Sequence, residues 1–277
     1  QDKSKSLSGG VLYIVATPIG NLGDITLRAL ETLKEADLIA CEDTRVSRKL
    51  LSAYSIDKPL VSYHDHNADH MRPQIIHKIS EGKAIALISD AGTPLISDPG
   101  YKLVRDCYEK VLSVTCLPGA SAVMAGLVLS GMPTDRFLFA GFAQKKAYAD
   151  LSPLDMTLIF FESAQRLIAT LKEMAGAFPN RTLAVVREIT KLFEEVRRGS
   201  FEDLIQFYEE KGQPKGEIVL VLSPPIAEQV LELDIDQLLR QTLQTHSIRD
   251  ACTLVAGTLG VPRKQIYQRA LMLKQEE

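Results

Sequence analysis

Three segments of the chain combine glycine with small polar residues directly after a short apolar run. Glycine lets the backbone approach a ligand closely, and ligands of open α/β sheets bind beyond the carboxyl ends of the strands. Because we expect the three apolar runs to be parallel strands, their carboxyl ends should lie at one edge of a sheet. The three segments, which should then converge on one small-molecule pocket, are residues 17–24, 89–100 and 118–122.

Side chains that can move a proton or bind an anion follow other predicted strands. These candidates are Asp43, Arg45, His66, Glu188 and Lys191. The two carboxylates and the histidine are candidate general bases. The arginine and the lysine, together with Arg187, are candidates for binding phosphate or stabilising a developing oxyanion. The sequence does not choose among these candidates.

Other kinds of site find little support in the sequence. His64, His66 and His70 admit a metal-site interpretation, but no matching set of cysteines or carboxylates completes one, so we expect no metal. The chain contains neither G-x-G-x-x-G nor a Walker phosphate loop, which disfavours a nucleotide-processing enzyme. Its four cysteines are irregularly spaced, as is typical of reduced thiols in the cytoplasm.

Short apolar runs alternate with helical patterns along most of the chain, and this alternation predicts an α/β fold. The predicted strands are 11–16, 38–41, 60–63, 84–89, 113–117, 157–161, 183–186 and 218–222. One helix should begin at Ser200, with Asp203 completing a capping box, and end at Gly212. Pro73 suits the first turn of another helix that ends near Gly82.

Changes in pattern divide the chain into four segments. We expect a flexible N-terminal tail, two α/β domains and a helical tail, over residues 1–10, 11–122, 123–225 and 226–277. The helical tail should contain three helices, over 235–245, 247–258 and 262–274, with a tight turn at 260–262. It resembles a helix-turn-helix pair, and either a nucleic-acid reader or a helical cap is compatible with the pattern.

Composition describes an ordinary globular protein. The 277 residues are 45% hydrophobic and 24% charged, with a formal net charge of −3. The polar start lacks the apolar core of a secretory signal, and no apolar run approaches the length of a membrane helix, so we expect a cytoplasmic protein. Because nucleic-acid binders are usually basic, an RNA substrate would need local basic sites. The candidates are Lys145-Lys146, Arg197-Arg198, and Arg263-Lys264 with Arg269.

The order of motifs resembles the tetrapyrrole-methylase superfamily, and within it the ribosomal RNA small-subunit methyltransferases that modify a cytidine 2′-hydroxyl of 16S RNA. The motifs are Y-I-V-A-T-P-I-G-N-L-G-D-I-T, C-E-D-T-R, H-D-H-N, S-D-A-G-T-P-L-I-S-D-P-G, P-G-A-S-A, F-F-E-S-A-Q-R-L, R-E-I-T-K and K-G-E-I-V-L-V. They cover about residues 11–222, and the segments with T-P-I-G-N-L and E-D-T-R favour the RNA branch of the superfamily.

The resemblance implies two α/β domains with S-adenosylmethionine bound in the cleft between them, and a homodimer acting on 16S RNA in the 30S subunit. The positions at which this superfamily contacts the cofactor correspond to Pro18, Ile19, Gly20, Asp90, Gly92, Thr93, Ser121, Ala122, Phe161, Gly216 and Glu217. One segment departs from the family pattern. The basic stretch that usually follows G-F is shortened after Phe142, where only Lys145 and Lys146 are basic before Asp150.

Two alternatives compete with RNA methylation. A methyltransferase of the same fold could act on a tetrapyrrole or another small molecule, and it would have an apolar cleft without a basic rim. An RNA-binding assembly factor could retain the fold without turnover, although the intact cofactor segments disfavour this.

Overall fold

The structure is a computed structural model that describes residues 10–97, 100–225, 232–259 and 263–276. The chain divides between Pro225 and Ile226 into two compact units, which are described separately below. The predicted N-terminal tail, apart from Gly10, and the predicted turn at 260–262 lie outside the described residues.

The first unit begins with a five-stranded sheet whose strands are all parallel. Its order is β3-β2-β4-β1-β5, so adjacent loops at its carboxyl edge come from distant parts of the sequence. The strands are β1 (Val11–Val15), β2 (Leu38–Cys41), β3 (Leu60–Ser62), β4 (Ala84–Ile88) and β5 (Ser113–Leu117). The helices that connect them are α1 (Leu27–Glu35), α2 (Thr44–Ala53), α3 (Ala68–Ser80) and α4 (Tyr101–Glu109).

Burial explains why β4 is the centre of this sheet. Its five residues are all apolar and all buried, as expected for a strand covered by helices on both faces. One side packs with Leu12, Ile75 and Leu103, and the other packs with Leu33 and Leu51. The strands that precede the three glycine-bearing segments, β1, β4 and β5, are parallel, as predicted.

A second five-stranded sheet follows in the same unit, with the order β6-β7-β10-β8-β9. Only β6 and β7 are parallel among its paired strands, and the remaining pairs are antiparallel. The strands are β6 (Phe137–Phe142), β7 (Thr157–Ser163), β8 (Leu183–Arg187), β9 (Glu195–Gly199) and β10 (Glu217–Leu222). The helices are α5 (Ala122–Ser130), α6 (Tyr148–Leu151), α7 (Leu167–Ala177) and α8 (Phe201–Lys211).

Helix α5 packs on the second sheet, through Val123 and Leu127 against Val186 and Val219. Gly126 is the point of closest approach, because a Cβ added there would lie 2.7 Å from Val219 Cγ1. The small-residue character of this helix thus serves packing. The predicted boundary between residues 122 and 123 stays a prediction, and this packing is compatible with it.

The α/β fold class is confirmed, while several local expectations need correction. Strands β6 and β9 were not predicted. β9 has the polar sequence Glu-Val-Arg-Arg-Gly, which does not predict a strand. It lies at the edge of the sheet, where one side of the strand remains unpaired. Pro73 lies inside α3 and not in its first turn. The helix starts earlier because Asn67 closes the preceding turn, accepting from His64 N at 2.9 Å and donating to Ser62 O at 2.9 Å.

The predicted helix at Ser200 is confirmed as α8. Ser200 Oγ accepts from Asp203 N at 3.1 Å, and Asp203 Oδ2 accepts from Ser200 N, which is a complete capping box.

The second unit consists of α9 (Glu232–Leu243), α10 (Ile248–Leu259) and α11 (Arg263–Glu276). It has its own core, which includes Leu239, Cys252, Val255 and Ile266. Arg269 is paired with Asp236 at 2.6 Å across this core. The predicted three-helix tail is therefore present. Among the residues that the structure describes, no helix is long and apolar enough to cross a membrane.

Candidate functional site

The first two glycine-bearing segments are joined directly to each other at the carboxyl edge of the parallel sheet. Thr17 and Gly92 form a two-way bridge, with Thr17 N donating to Gly92 O at 2.9 Å and Gly92 N donating to Thr17 O at 3.0 Å. Ser89 Oγ also donates to Gly92 O, at 2.9 Å. Gly92 has a φ of 83°, which disfavours residues with a side chain.

The third segment, residues 118–122, lies against the first two. Thr93 Oγ1 donates to Ala120 O at 3.1 Å, and a Cβ on Gly119 would lie only 2.8 Å from Ala16 Cβ. The convergence expected from parallel strands is therefore observed. Three strand ends that are far apart in the sequence meet within hydrogen-bonding distance.

A cavity of about 340 Å³ lies between these segments and the second sheet. This volume is in the range of small-molecule sites. The lining residues are Ile19, Ala91, Gly92, Thr93, Ile96, Ser97, Ser121, Ala122, Val123, Phe142, Phe161, Glu162, Ile189, Glu217, Ile218 and Val219. Apolar walls with a few hydroxyls and carboxylates are typical of sites that hold an amphipathic ligand.

Most of the predicted cofactor residues line this cavity. Those that do are Ile19, Gly92, Thr93, Ser121, Ala122, Phe161 and Glu217. Pro18, Gly20, Asp90 and Gly216 are not among its described lining residues. Gly216 instead lines an adjacent open pocket, which shares Phe142, Glu162 and Glu217 with the cavity.

Sequence reasoning missed several lining residues on the second sheet. Phe142, Ile189 and Val219 close the cavity, and Phe142 packs edge-on against Phe161 with ring centroids 5.7 Å apart. Ile189 could have been identified from the sequence, because it lies just after the predicted strand 183–186. Phe142 was marked only as the end of the G-F pattern, because the strand that carries it was not predicted.

Glu162 is a buried carboxylate at the floor of the cavity. Its Oε1 accepts from Ser163 N at 2.7 Å, and its Oε2 accepts from Thr170 Oγ1 at 2.5 Å. Both oxygens therefore have donors, and Arg166 Nη2 lies 3.9 Å from Oε2.

Lys191 and Glu188 lie together, and the structure adds Glu217 to them. Lys191 Nζ lies 3.0 Å from Glu188 Oε1 and 2.8 Å from Glu217 Oε2, and Glu217 N donates to the same Glu188 oxygen at 3.0 Å. The hydrogen bond from the Glu217 backbone and the Lys191 charge lower the pKa of Glu188. Gly216 is required here, because its Cβ would lie 2.2 Å from Glu188 Oε1.

Replacing Lys191 by methionine should reduce the activity of this site by about tenfold through the loss of a charge-assisted hydrogen bond. Glu217 lines the cavity, and without the ammonium its carboxylate loses its fixed position. The measurement is kcat and cofactor affinity side by side. Lys172→Met is the matched control, because that lysine forms an exposed pair with Glu209 at 2.6 Å. Equal effects of the two variants would contradict a local role for Lys191.

Asp43 is held as a charged acceptor at the start of α2. Its Oδ1 accepts from Arg45 N at 2.8 Å, and Arg45 Nη2 lies 2.7 Å from Oδ2. The hydrogen bonds from Arg45 lower the pKa of Asp43 to about 2. Asp43 N in turn donates to Asp90 Oδ1 at 3.1 Å, which fixes the candidate Asp90 against the second strand. A carboxylate with so low a pKa is a weak general base.

His66 is exposed beside His64, with ring centroids 5.9 Å apart. Glu42 of the C-E-D-T-R motif lies near His64, and burial followed by the charge of Asp90 raises its pKa. The structure thus separates the three candidate bases. Asp43 and Glu188 are engaged with cations, while no cation contact is described for the His66 ring.

The predicted basic residues differ in whether other groups of the chain already contact their side chains. Arg197 and Arg198 are occupied, since Arg197 contacts Glu195 and the Phe207 ring and Arg198 donates to the carbonyls of α5. Arg187 is likewise paired with Glu195, at 3.0 Å. The exposed sites are Lys145, Lys146 and Arg263, and the side chain of Lys264 lies outside the described residues. Among the described residues, no cluster of three or more histidines, cysteines and carboxylates could hold a metal.

Comparison with known proteins extends this picture. Residues 11–205 match the family model described as Tetrapyrrole (Corrin/Porphyrin) Methylases, and residues 229–274 match the one described as RsmI C-terminal HTH domain. The chain is 51% identical to a ribosomal RNA small subunit methyltransferase I of Erythrobacter litoralis, with 98% of each chain covered. It is 47% identical to the protein of the same name in Mesorhizobium japonicum, with 95% of this chain and 92% of the relative covered.

Solved structures show the same fold at low identity. A cobalt precorrin-4 methyltransferase superposes with a TM-score of 0.58 at 19% identity, covering 76% of this chain and 94% of its own. A diphthine synthase superposes with a TM-score of 0.61 at 16% identity, covering 77% and 90%. These similarities concern the fold alone.

Proposed function

The chain belongs to the tetrapyrrole methylase family, and from this premise we propose that it is an S-adenosylmethionine-dependent methyltransferase of 16S ribosomal RNA. The acceptor is the ribose 2′-hydroxyl of a cytidine. The observation that carries the proposal is the cavity between the two sheets, combined with about 50% identity over the full chain to small-subunit RNA methyltransferases.

The residues of the cavity fit the cofactor. Ile19, Phe161 and Val219 offer apolar surface to an adenine ring, and the hydroxyls of Thr93 and Ser121 offer hydrogen bonds. Glu217, held by Lys191, places a carboxylate where a positively charged group can approach it. Pro18, Gly20, Asp90 and Gly216 would act by shaping these loops. S-adenosylmethionine supplies a methyl group on a sulfonium, which is already an activated leaving group.

The chain's own contribution is then position and proton removal. An in-line approach of the ribose oxygen depends on the rigid loops at the strand ends. A hydroxyl becomes a good nucleophile when its proton leaves, and His66 is the candidate base that lacks a described cation contact. Arg45 and Lys191 hold Asp43 and Glu188 as charged groups, and so they act as positioning residues in this proposal.

Replacing His66 by alanine should lower kcat by about a hundredfold or more, as loss of a general base does, while the dissociation constant of S-adenosylmethionine stays within about twofold, less than 0.5 kcal/mol. His77→Ala is the control, because His77 is an exposed histidine near the other end of α3. A His66→Ala variant with unchanged turnover would remove this residue from the mechanism.

RNA contact is assigned to Lys145 and Lys146, which follow the cavity residue Phe142, and to the helical unit after residue 231. Arg263 at the start of α11 is suited to a phosphate, because helix N-termini attract anions. We propose that the helical unit binds RNA. We also propose that two copies of the chain form a homodimer, and that the substrate is the assembled 30S subunit in the cytoplasm. A structured particle supplies contacts that a chain of net charge −3 needs.

The test is methyl transfer from radiolabelled S-adenosylmethionine to three acceptors. These are 30S subunits that lack the modification, free 16S RNA and a tetrapyrrole precursor. Label that survives in an alkali-resistant dinucleotide from 30S RNA identifies ribose 2′-O-methylation, and removal of residues 226–277 should reduce it while sparing cofactor binding. Label in the tetrapyrrole alone would overturn the RNA assignment. Cofactor binding with no transfer to any acceptor would favour the non-enzymatic assembly factor.

A further inference from the structure

The turn between β8 and β9, residues 188–194, presents two large apolar side chains to solvent. Leu192 is 89% exposed and Phe193 is 68% exposed. Isolated exposed apolar residues are common on protein surfaces, but two adjacent ones at the tip of a turn form a continuous apolar surface.

Hydrogen bonds hold this turn in a fixed shape. Lys191 N donates to Glu188 O at 3.0 Å, and Glu194 N donates to Lys191 O at 3.1 Å. Thr190 N donates to Glu194 Oε2 at 2.6 Å, and the Thr190 hydroxyl donates to Asp24 in the first cofactor segment. Glu188 and Thr190 have φ values of 52° and 64°. Non-glycine residues keep such strained conformations only where their surroundings enforce them.

The same turn forms part of the wall of the cavity. Ile189 lines the cavity, and the Lys191 side chain lies against Gly20, where an added Cβ would be 2.6 Å from Lys191 Cε. Gly20 follows Ile19, which also lines the cavity. The turn that carries the apolar tip therefore also lines the cavity, through Ile189.

We propose that Phe193, with Leu192 beside it, packs against a base of the acceptor RNA next to the methylated nucleotide. A ribose that enters a closed cleft requires the strand to leave its stacked helix, and an aromatic side chain replaces the stacking that a neighbouring base then loses. Lys145 and Lys146 are exposed and follow Phe142, which lines the same cavity as Ile189. These cations favour RNA over a hydrophobic protein surface as the occupant. This inference rests on the proposed function and assigns its RNA-binding residue.

The experiment compares Phe193→Ala, Phe193→Trp and Tyr108→Ala in the 30S methyl-transfer assay. Tyr108 is the matched control, since it is an aromatic residue of 65% exposure near the end of α4. That end leads into the amino end of β5, whereas the cofactor segments follow the carboxyl ends of the strands. Phe193→Ala should raise the KM for 30S subunits roughly ten- to a hundredfold, the effect of removing one stacked base. Phe193→Trp should retain wild-type KM, and all three variants should bind S-adenosylmethionine as the wild type does.

The outcomes separate this inference from the proposed function. If the wild type methylates 30S RNA and Phe193→Ala has an unchanged KM, or one equal to that of Tyr108→Ala, the stacking role is wrong and the proposed function stands. If Phe193→Ala lowers the mass measured by sedimentation, the turn contacts a second copy of the chain and the RNA role is overturned. If the wild type binds cofactor and methylates no RNA, the proposed function itself fails.

Discussion

Replacing Gly92 by valine should weaken S-adenosylmethionine binding by about a hundredfold, which corresponds to roughly 2.7 kcal/mol. Gly92 lines the cavity and joins two of its loops, because its N–H and C=O both bond to Thr17. A side chain there faces two penalties. The φ of 83° strains any residue with a Cβ, by about 1–2 kcal/mol, and the Cβ would lie 3.2 Å from Ile19 Cγ2.

The comparison that isolates the local effect is Gly82→Val. Gly82 has a similar φ of 90°, yet no atom lies within 4 Å of an added Cβ. Both variants therefore carry the backbone strain, and only Gly92→Val disturbs the cavity. Cofactor affinity is measured by titration calorimetry on folded protein. Equal affinities for the two variants would contradict a local role for Gly92 in cofactor binding.

Replacing Arg181 by methionine should lower the free energy of unfolding by at least about 3 kcal/mol, because buried acceptors left without donors each cost roughly 1–3 kcal/mol. Arg181 is 5% exposed. Its guanidinium donates to Met156 O at 2.9 Å, Ser223 O at 2.6 Å and Ser152 O at 3.1 Å, and also to Leu154 O. Burial lowers the pKa of this arginine, and the four carbonyls accept from its Nη1 and Nη2 groups.

Urea denaturation gives the comparison, with Arg105→Met as the control. Arg105 is 60% exposed and pairs with Glu109 at 3.5 Å, so its loss should change stability by about 0.5 kcal/mol or less. A stable Arg181→Met protein would mean that the loop carbonyls find water in place of the guanidinium. Because Arg181 lies outside the cavity lining, cofactor affinity should be retained wherever the variant is folded.

The sequence predicted the first sheet well because its strands have a strong local signature. The run at β4 is apolar on both faces, and the loops that follow β1, β4 and β5 carry glycine and proline. The second sheet was harder to predict, since β9 is polar and pairs at an edge, and Phe142 lies on the unpredicted edge strand β6. An edge strand needs only one partner, so the composition of β9 can approach that of a loop, whereas β6 is apolar (Phe-Leu-Phe-Ala-Gly-Phe) and was missed despite its composition.

The sequence by itself determined the family, the α/β class, the capping box at Ser200 and the set of loops that form one pocket. Each of these depends on residue types at fixed short spacings, which sequence displays directly. Only the tertiary structure decided which side chains line the pocket and which candidate bases are paired with cations. Asp43 and Glu188 look equivalent as candidate bases in sequence, yet Arg45 and Lys191 hold both as paired carboxylates. The approach of Lys191 to Glu217 depends on the antiparallel hydrogen bonding of β8 and β10, a long-range pairing that local patterns do not encode.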